Sequence, residues 1–114
     1  MQLTREQAIA EHRKMWNWIA EQIERKRKYL SISGLKDKYF FMLKMKIFPV
    51  DRCYLCQYAN EKYEDCPCDY CPVEKPDGVG CLGGLYYAVC RAETWQEQAA
   101  LARQIANLPQ RTDV

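Results

Sequence analysis

The chain has a single histidine, His12, and that scarcity removes several kinds of chemistry at once. No H-E-x-x-H helix can be written with one histidine, so zinc peptidase chemistry is excluded. "PCDYC" (Pro67 to Cys71) matches the P-C-x-x-C half of the zinc deaminase signature. The other half needs H-x-E, and "HRK" puts Lys14 where that glutamate belongs. Long apolar runs are also missing. The most apolar stretch, "YFFMLKMKIF", is broken by Lys44 and Lys46 and is too short to span a bilayer. The opening "MQLTREQ" has no apolar signal-peptide core behind it, which leads to the expectation of a soluble, cytoplasmic protein. The glycine-rich "GVGCLGG" lacks the G-K-[ST] of a phosphate-cradling loop and reads as a turn. The carboxylates form no convincing pair, so no enzyme is expected.

What the chain has instead is cysteine. Of seven cysteines, six fall in "CYLCQYANEKYEDCPCDYCPVEKPDGVGC", from Cys53 to Cys81. A reducing compartment favours metal ligation over disulfides, and an odd count leaves one thiol unpaired in any disulfide scheme. Cys53-x2-Cys56 and Cys68-x2-Cys71 are two knuckles, each able to present two sulfurs to one ion. Four thiolates close a tetrahedral zinc site with no position left for water. One structural Zn²⁺ is therefore the expected cofactor, with Cys53, Cys56, Cys68 and Cys71 as its ligands. "CPCDYC" also offers Cys66, and Cys81 is a further spare thiol. The alternatives are a second metal using Cys66, Cys81, Cys90 and His12, an iron–sulfur cluster whose spacing matches neither ferredoxin pattern, or disulfides. Cys90 reads as a small buried hydrophobe on a helix.

Periodicity supplies a frame for this loop. Thr4 and Gln7 fit a capping box, and Ile9, His12, Trp16, Ile19 and Ile23 recur at helical spacing. The expected helix runs from about Thr4 to Leu30, roughly 40 Å, with Gly34 in "SISG" as its breaker. A second helix is expected over about 35–46, ended by Pro49, although "KMKIF" alternates like a strand. "QYANEKYE" fits a short helix, and "LYYAVCRA" fits another. Thr94 with Glu97 caps a last helix whose face is Trp95, Ala99, Ala102, Ile105 and Ala106; Pro109 closes it and "QRTDV" reads as a frayed tail. The fold class expected is mainly α: a long N-terminal amphipathic helix and a C-terminal helix packed around an irregular cysteine-rich zinc-knuckle loop. A single zinc-stabilised domain covers 1–114, with 1–48 helical, 49–84 the zinc-binding loop region, 85–109 the C-terminal helices and 110–114 a tail.

Charge is uneven. Residues 1–52 carry 12 Lys/Arg against 6 Asp/Glu, whereas residues 53–114 carry 5 against 9. "RKRK" (Arg25, Lys26, Arg27, Lys28) is the densest basic run, extended by Lys36, Lys38, Lys44 and Lys46. On a helical wheel Trp18 and Tyr29 emerge through the polar face of the first helix, where large aromatics mark interaction sites; the competing reading is contact with the chain's own second helix or tail. These residues are the candidate partner surface, for a protein or for nucleic-acid phosphates. His12, on the apolar face, reads as a packed core residue. Tyr54, Tyr58, Tyr63 and Tyr70 flank the cysteines and suit either packing around the metal or stacking on bases.

The order of features resembles small zinc-binding proteins encoded by bacteriophages and prophages. A tryptophan-bearing helix is followed by "CYLCQYA", "CPCDYCPV", "GC", an aromatic segment, "TW" and "ARQIANLP", over about residues 10–109. By motif the resemblance assigns the metal to Cys53, Cys56, Cys68 and Cys71, while "CPC" departs from a simple pair of knuckles at Cys66. It implies action by binding a host protein in the host cytoplasm, including components of antiviral defence. The function expected is thus a non-enzymatic zinc-stabilised binding protein with a host protein partner, the alternative being a nucleic-acid-binding zinc protein that uses the basic N-terminal half.

Overall fold

In the structure, a computed structural model, residues 3–44, 53–62, 71–74 and 81–112 are described. Helix α1 spans Arg5–Lys26. Thr4 caps it in both directions: its hydroxyl accepts the Gln7 N–H at 3.1 Å, and its own N–H donates to Gln7 Oε1 at 2.9 Å. The predicted stripe is buried, and Ala8, Met15 and Ala20 join Ile9, His12, Trp16, Ile19 and Ile23 along it.

The end of α1 differs from expectation. Rather than reaching Leu30, the helix stops where Arg27 turns left-handed (φ 53°) and its N–H closes on Ile23 O at 2.9 Å. No glycine announces this cap, so no stop signal marks it. Tyr29 and Leu30 lie in the connection. Gly34 is not a breaker either. Ser31 caps helix α2, Ile32–Met42, by accepting the Gly34 N–H at 3.2 Å, so Gly34 belongs to the first turn of that helix. The buried face of α2 is Ile32, Leu35, Lys36, Tyr39 and Phe40. The segment beyond Lys44, including Lys46, Pro49 and the strand-like "KMKIF", lies outside the described residues.

Helix α3, Tyr54–Lys62, begins directly after Cys53 and takes in the predicted short helix as far as Lys62, its last two residues lying outside the described residues. A 3₁₀ turn over Cys81–Gly84 leads into α4, Leu85–Cys90, and Gly84 makes the junction with φ 86°, which a side chain would strain. Helix α5 spans Trp95–Ala106, with the Thr94 hydroxyl accepting from Glu97 N at 3.1 Å. The Glu97 carboxylate accepts from Glu93 N (3.3 Å) rather than from Thr94 N, so only half of the expected box forms.

The framework is α1 against α5, with α3 on α1 and α4 on α5. Polar links cross the α1–α5 seam. Arg103 reaches Glu24 at 2.7 Å and Asn17 at 3.0 Å, and Arg13 donates to Leu108 O at 3.1 Å. An aromatic chain, Trp18–Tyr39–Phe40–Tyr54, joins α1 to α2 and α2 to α3 with ring centroids 5.4–5.8 Å apart. Inside this frame Gln98 is wholly buried. Its carbonyl accepts Leu30 N–H at 3.0 Å, and its amide donates to Leu30 O at 2.8 Å and to Val89 O at 3.3 Å. One side chain thereby anchors the connection after α1 to both α4 and α5.

The tail was expected to fray, yet its described part does not. Gln110 forms an antiparallel bridge with Val73, Glu74 N donates to Pro109 O at 2.7 Å, and Arg111 N donates to Pro72 O at 2.9 Å. Arg5 holds the same stretch through Gln110 Oε1 (2.9 Å) and Arg111 O. Backbone pairing with the cysteine loop, invisible in a polar five-residue string, is what orders it.

Among the described residues the secondary structure is five α-helices and one 3₁₀ turn, with no strand. Mainly α with long N- and C-terminal helices is therefore the observed class; much of the cysteine-rich loop lies outside the described residues. No described helix is long and apolar enough to cross a membrane.

Candidate metal centre and binding faces

Cys53 and Cys56 are brought together by the first turn of α3. The Cys56 N–H donates to Cys53 Sγ at 3.4 Å, and Gln57 N closes on Cys53 O at 3.0 Å. An amide pointing at sulfur favours the thiolate. A hydrogen bond from the Cys56 side chain, assisted by the Lys36 charge and by the Cys56 and Leu55 amides, outweighs burial and brings the Cys53 thiol down to about 6. Thiolate is the form that a metal requires, so this half of the predicted site has the donor chemistry zinc needs. Cys71 sits half-buried in the loop clamped to the tail, its carbonyl accepting from Arg111 Nη1 at 3.3 Å. Cys66 and Cys68 lie outside the described residues, as does the side chain of Cys81. Among the described residues no three Cys, His, Asp or Glu side chains converge on one point. The structure brings Cys53 and Cys56 together in the first turn of α3.

Cys90 ends α4 half-buried against the core, and burial pushes its thiol up. Tyr54 is buried against Phe40 and Tyr58 is half-buried, whereas Tyr63 and Tyr70 lie outside the described residues.

His12 is the core residue its position suggested, 1% exposed, with Nε2 3.0 Å from Ile105 O. That contact requires Nε2 to carry the proton, which leaves Nδ1 bare, and Nδ1 has no hydrogen-bond partner among the described residues. Burial, reinforced by the nearby Lys36 and Arg13 charges, lowers His12 to about 4 despite the carbonyl contact. The unfolded chain takes up this proton near the ordinary histidine value and the folded chain does not. Stability from His12 is therefore intact above about pH 6.5 and drains away as pH falls toward 4, by about 3 kcal/mol in all. Urea melts at stepped pH are expected to show this loss, and His12→Gln, which can still donate to Ile105 O, is expected to flatten it. An unchanged pH slope in that variant would assign the acid sensitivity elsewhere.

Lys36 is the residue that sequence reasoning misplaced. Assigned to the basic face, it is 3% exposed, with its Nζ 4.7 Å from the Tyr86 ring centroid and 5.3 Å from that of Trp16. Two π faces replace part of the ammonium's hydration. The signal was its register, since position 36 falls in the stripe 32, 35, 36, 39, 40. Lys38 and Lys44 are exposed as expected.

The predicted partner surface divides. Trp18 is half-buried with its ring 5.4 Å from Tyr39, so it packs on the chain's own second helix, one of the two readings its position allowed. Arg25, Lys26, Arg27 and Lys28 are exposed, with Arg25 paired to Glu21 at 3.6 Å. Tyr29 is 46% exposed while its hydroxyl donates to Cys90 O. A second surface went unnoticed in the sequence: Phe41, Met42 and Leu43 are exposed by 81%, 47% and 43%. Four apolar residues in a row, Phe40 to Leu43, cannot all face inward on a helix that turns about 100° per residue, and that was the available signal.

Comparison with protein-family models, with curated proteins and with solved structures finds no match to this chain.

Proposed function

We propose that the chain is a non-enzymatic, zinc-stabilised binding protein of the phage- or prophage-encoded kind, which docks on a host protein. The observation that carries this reading is the apolar end of α2. Phe41 projects into water at 81% exposure, beside Met42 and Leu43, where burial inside the chain gives it no role. Contiguous exposed apolar side chains in a small protein mark contact sites. Lys38 and Lys44, both exposed, stand on either side of the patch in sequence, and they favour a partner whose apolar groove has an acidic rim. The knuckle geometry at Cys53 and Cys56 supports a metal that holds the 53–74 segment against α1. The resemblance to phage-encoded zinc proteins supports a host target, with components of antiviral defence as the class.

The test compares immobilised wild-type protein with Phe41→Glu in host lysate. A partner held by the wild type is expected to be lost at least about ten-fold with the variant, because an anchor residue at a contact centre is worth upwards of 2 kcal/mol. Thermal melts of the two proteins are expected to agree, since an exposed residue leaves no cavity. Equal retention by both would remove α2 from the docking surface.

A further inference from the structure

A second face is assembled by one hydrogen bond. The Tyr29 hydroxyl donates to the Cys90 carbonyl. That contact seats Tyr29, which directly follows the basic run Arg25–Lys28, against the C-terminal end of α4, where Arg91 follows. In the sequence Tyr29 and Cys90 are 61 residues apart; in the fold their hydrogen bond brings the stretches that carry these cations together. Among the described residues Lys26, Arg27 and Lys28 enter no ion pair. The Arg91 guanidinium lies over the Tyr87 ring, 4.4 Å from its centroid. Both Tyr87 (62%) and Tyr29 (46%) are left open to water.

A solvated helix end explains only part of this. The negative end of the α1 dipole accounts for Arg25 and Lys26 in the last turn. It does not account for an exposed tyrosine carrying a stacked arginine on another helix. A charged, flat π surface beside a row of cations suits a chain that alternates phosphates with unstacked bases.

We propose that this face binds single-stranded nucleic acid, with phosphates along Lys26, Arg27, Lys28 and Arg91 and bases stacked on Tyr87 and Tyr29. A duplex offers phosphates but keeps its bases stacked on one another, so it engages only half of the surface. The proposal is independent of the apolar patch on α2, and either can fail without the other.

The experiment is fluorescence anisotropy of labelled oligo(dT) and oligo(U), about 15 nucleotides long, with the full chain and a duplex of equal length as comparison. Four cations on a single strand predict that affinity falls about fifty-fold between roughly 50 and 200 mM salt. Tyr87→Ala is expected to weaken binding about ten-fold. Arg27→Glu with Lys28→Glu is expected to abolish most of the binding and to flatten the salt slope. All three positions are exposed, and matching thermal melts confirm that the variants fold. No anisotropy change at roughly 50 mM salt would overturn the proposal. So would equal binding of the duplex with no dependence on Tyr87, which reduces the face to phosphate attraction. Displacement by polyglutamate as effective as by unlabelled oligonucleotide would reassign the face to an acidic protein.

Discussion

Cys53→Ser is expected to unfold the 53–74 segment, and chelation of the reduced wild-type protein is expected to do the same. Cys53 is already biased toward thiolate by the Cys56 N–H and side chain, and a thiolate without a metal or a proton is an uncompensated charge against the core. Four thiolates around one Zn²⁺ bind with about 10–16 kcal/mol in small zinc peptides, more than the whole stability of most domains. Removing one ligand should therefore cost the loop its structure. Circular dichroism is expected to lose the α3 contribution, and the melting transition to broaden or fall sharply. Cys71→Ser should behave alike. Cys90→Ser, at a half-buried position on α4, should cost only the few kcal/mol or less of a packing change. Elemental analysis should find one zinc per chain. A circular dichroism spectrum and melting curve indifferent to chelator would end the zinc reading, and equal damage from all three serines would mean that the ligands are misassigned.

The second large effect belongs to Gln98→Leu. The substitution keeps roughly the volume and removes three hydrogen bonds at once, leaving the Leu30 N–H, the Leu30 carbonyl and the Val89 carbonyl without their partner. An unsatisfied buried backbone group costs about 1–3 kcal/mol. With Leu30 half-buried and thus partly rehydrated, the sum expected is about 3–5 kcal/mol, or a fall in Tm of roughly 10 °C or more. Gln98→Glu is expected to be no better, because a carboxylate faces two carbonyl oxygens. Urea denaturation distinguishes the outcomes. A loss below about 1 kcal/mol would show that water replaces the side chain at no great cost.

Legibility in the sequence followed the range of the interaction. Thr4 with Gln7 and Thr94 with Glu97 are local signals, and both helices start where those pairs indicate. The stripe from Ile9 to Ile23 is a period, and it is buried as a period predicts. Where a boundary depended on one residue accepting an unfavourable backbone, as at Arg27, the sequence carried no mark. Long-range partners were equally hidden. Nothing near Gln98 announces that it meets Leu30 across 68 residues, and nothing in "QRTDV" announces Val73. Lys36 shows the hazard of counting charge without register. For the metal site, spacing nominates Cys53, Cys56, Cys68 and Cys71 as the sulfurs proposed to share an ion. The fold adds the Cys53–Cys56 hydrogen bond and leaves the meeting of the two knuckles as the part to be measured.

The seam between α1 and α5 has a kinetic consequence. Its polar links, such as Arg103 to Asn17 across 86 residues, form only after the chain has closed a very long loop. Closing a loop of that length adds little equilibrium cost beyond a shorter one, since the entropy grows only logarithmically. It does delay the first productive encounter, so this helical protein should fold more slowly than bundles whose neighbours are adjacent in sequence. Until the outer pair meets, α3 can lean on α1, but Pro72, Val73 and Glu74 lack the Pro109–Arg111 backbone that they pair with.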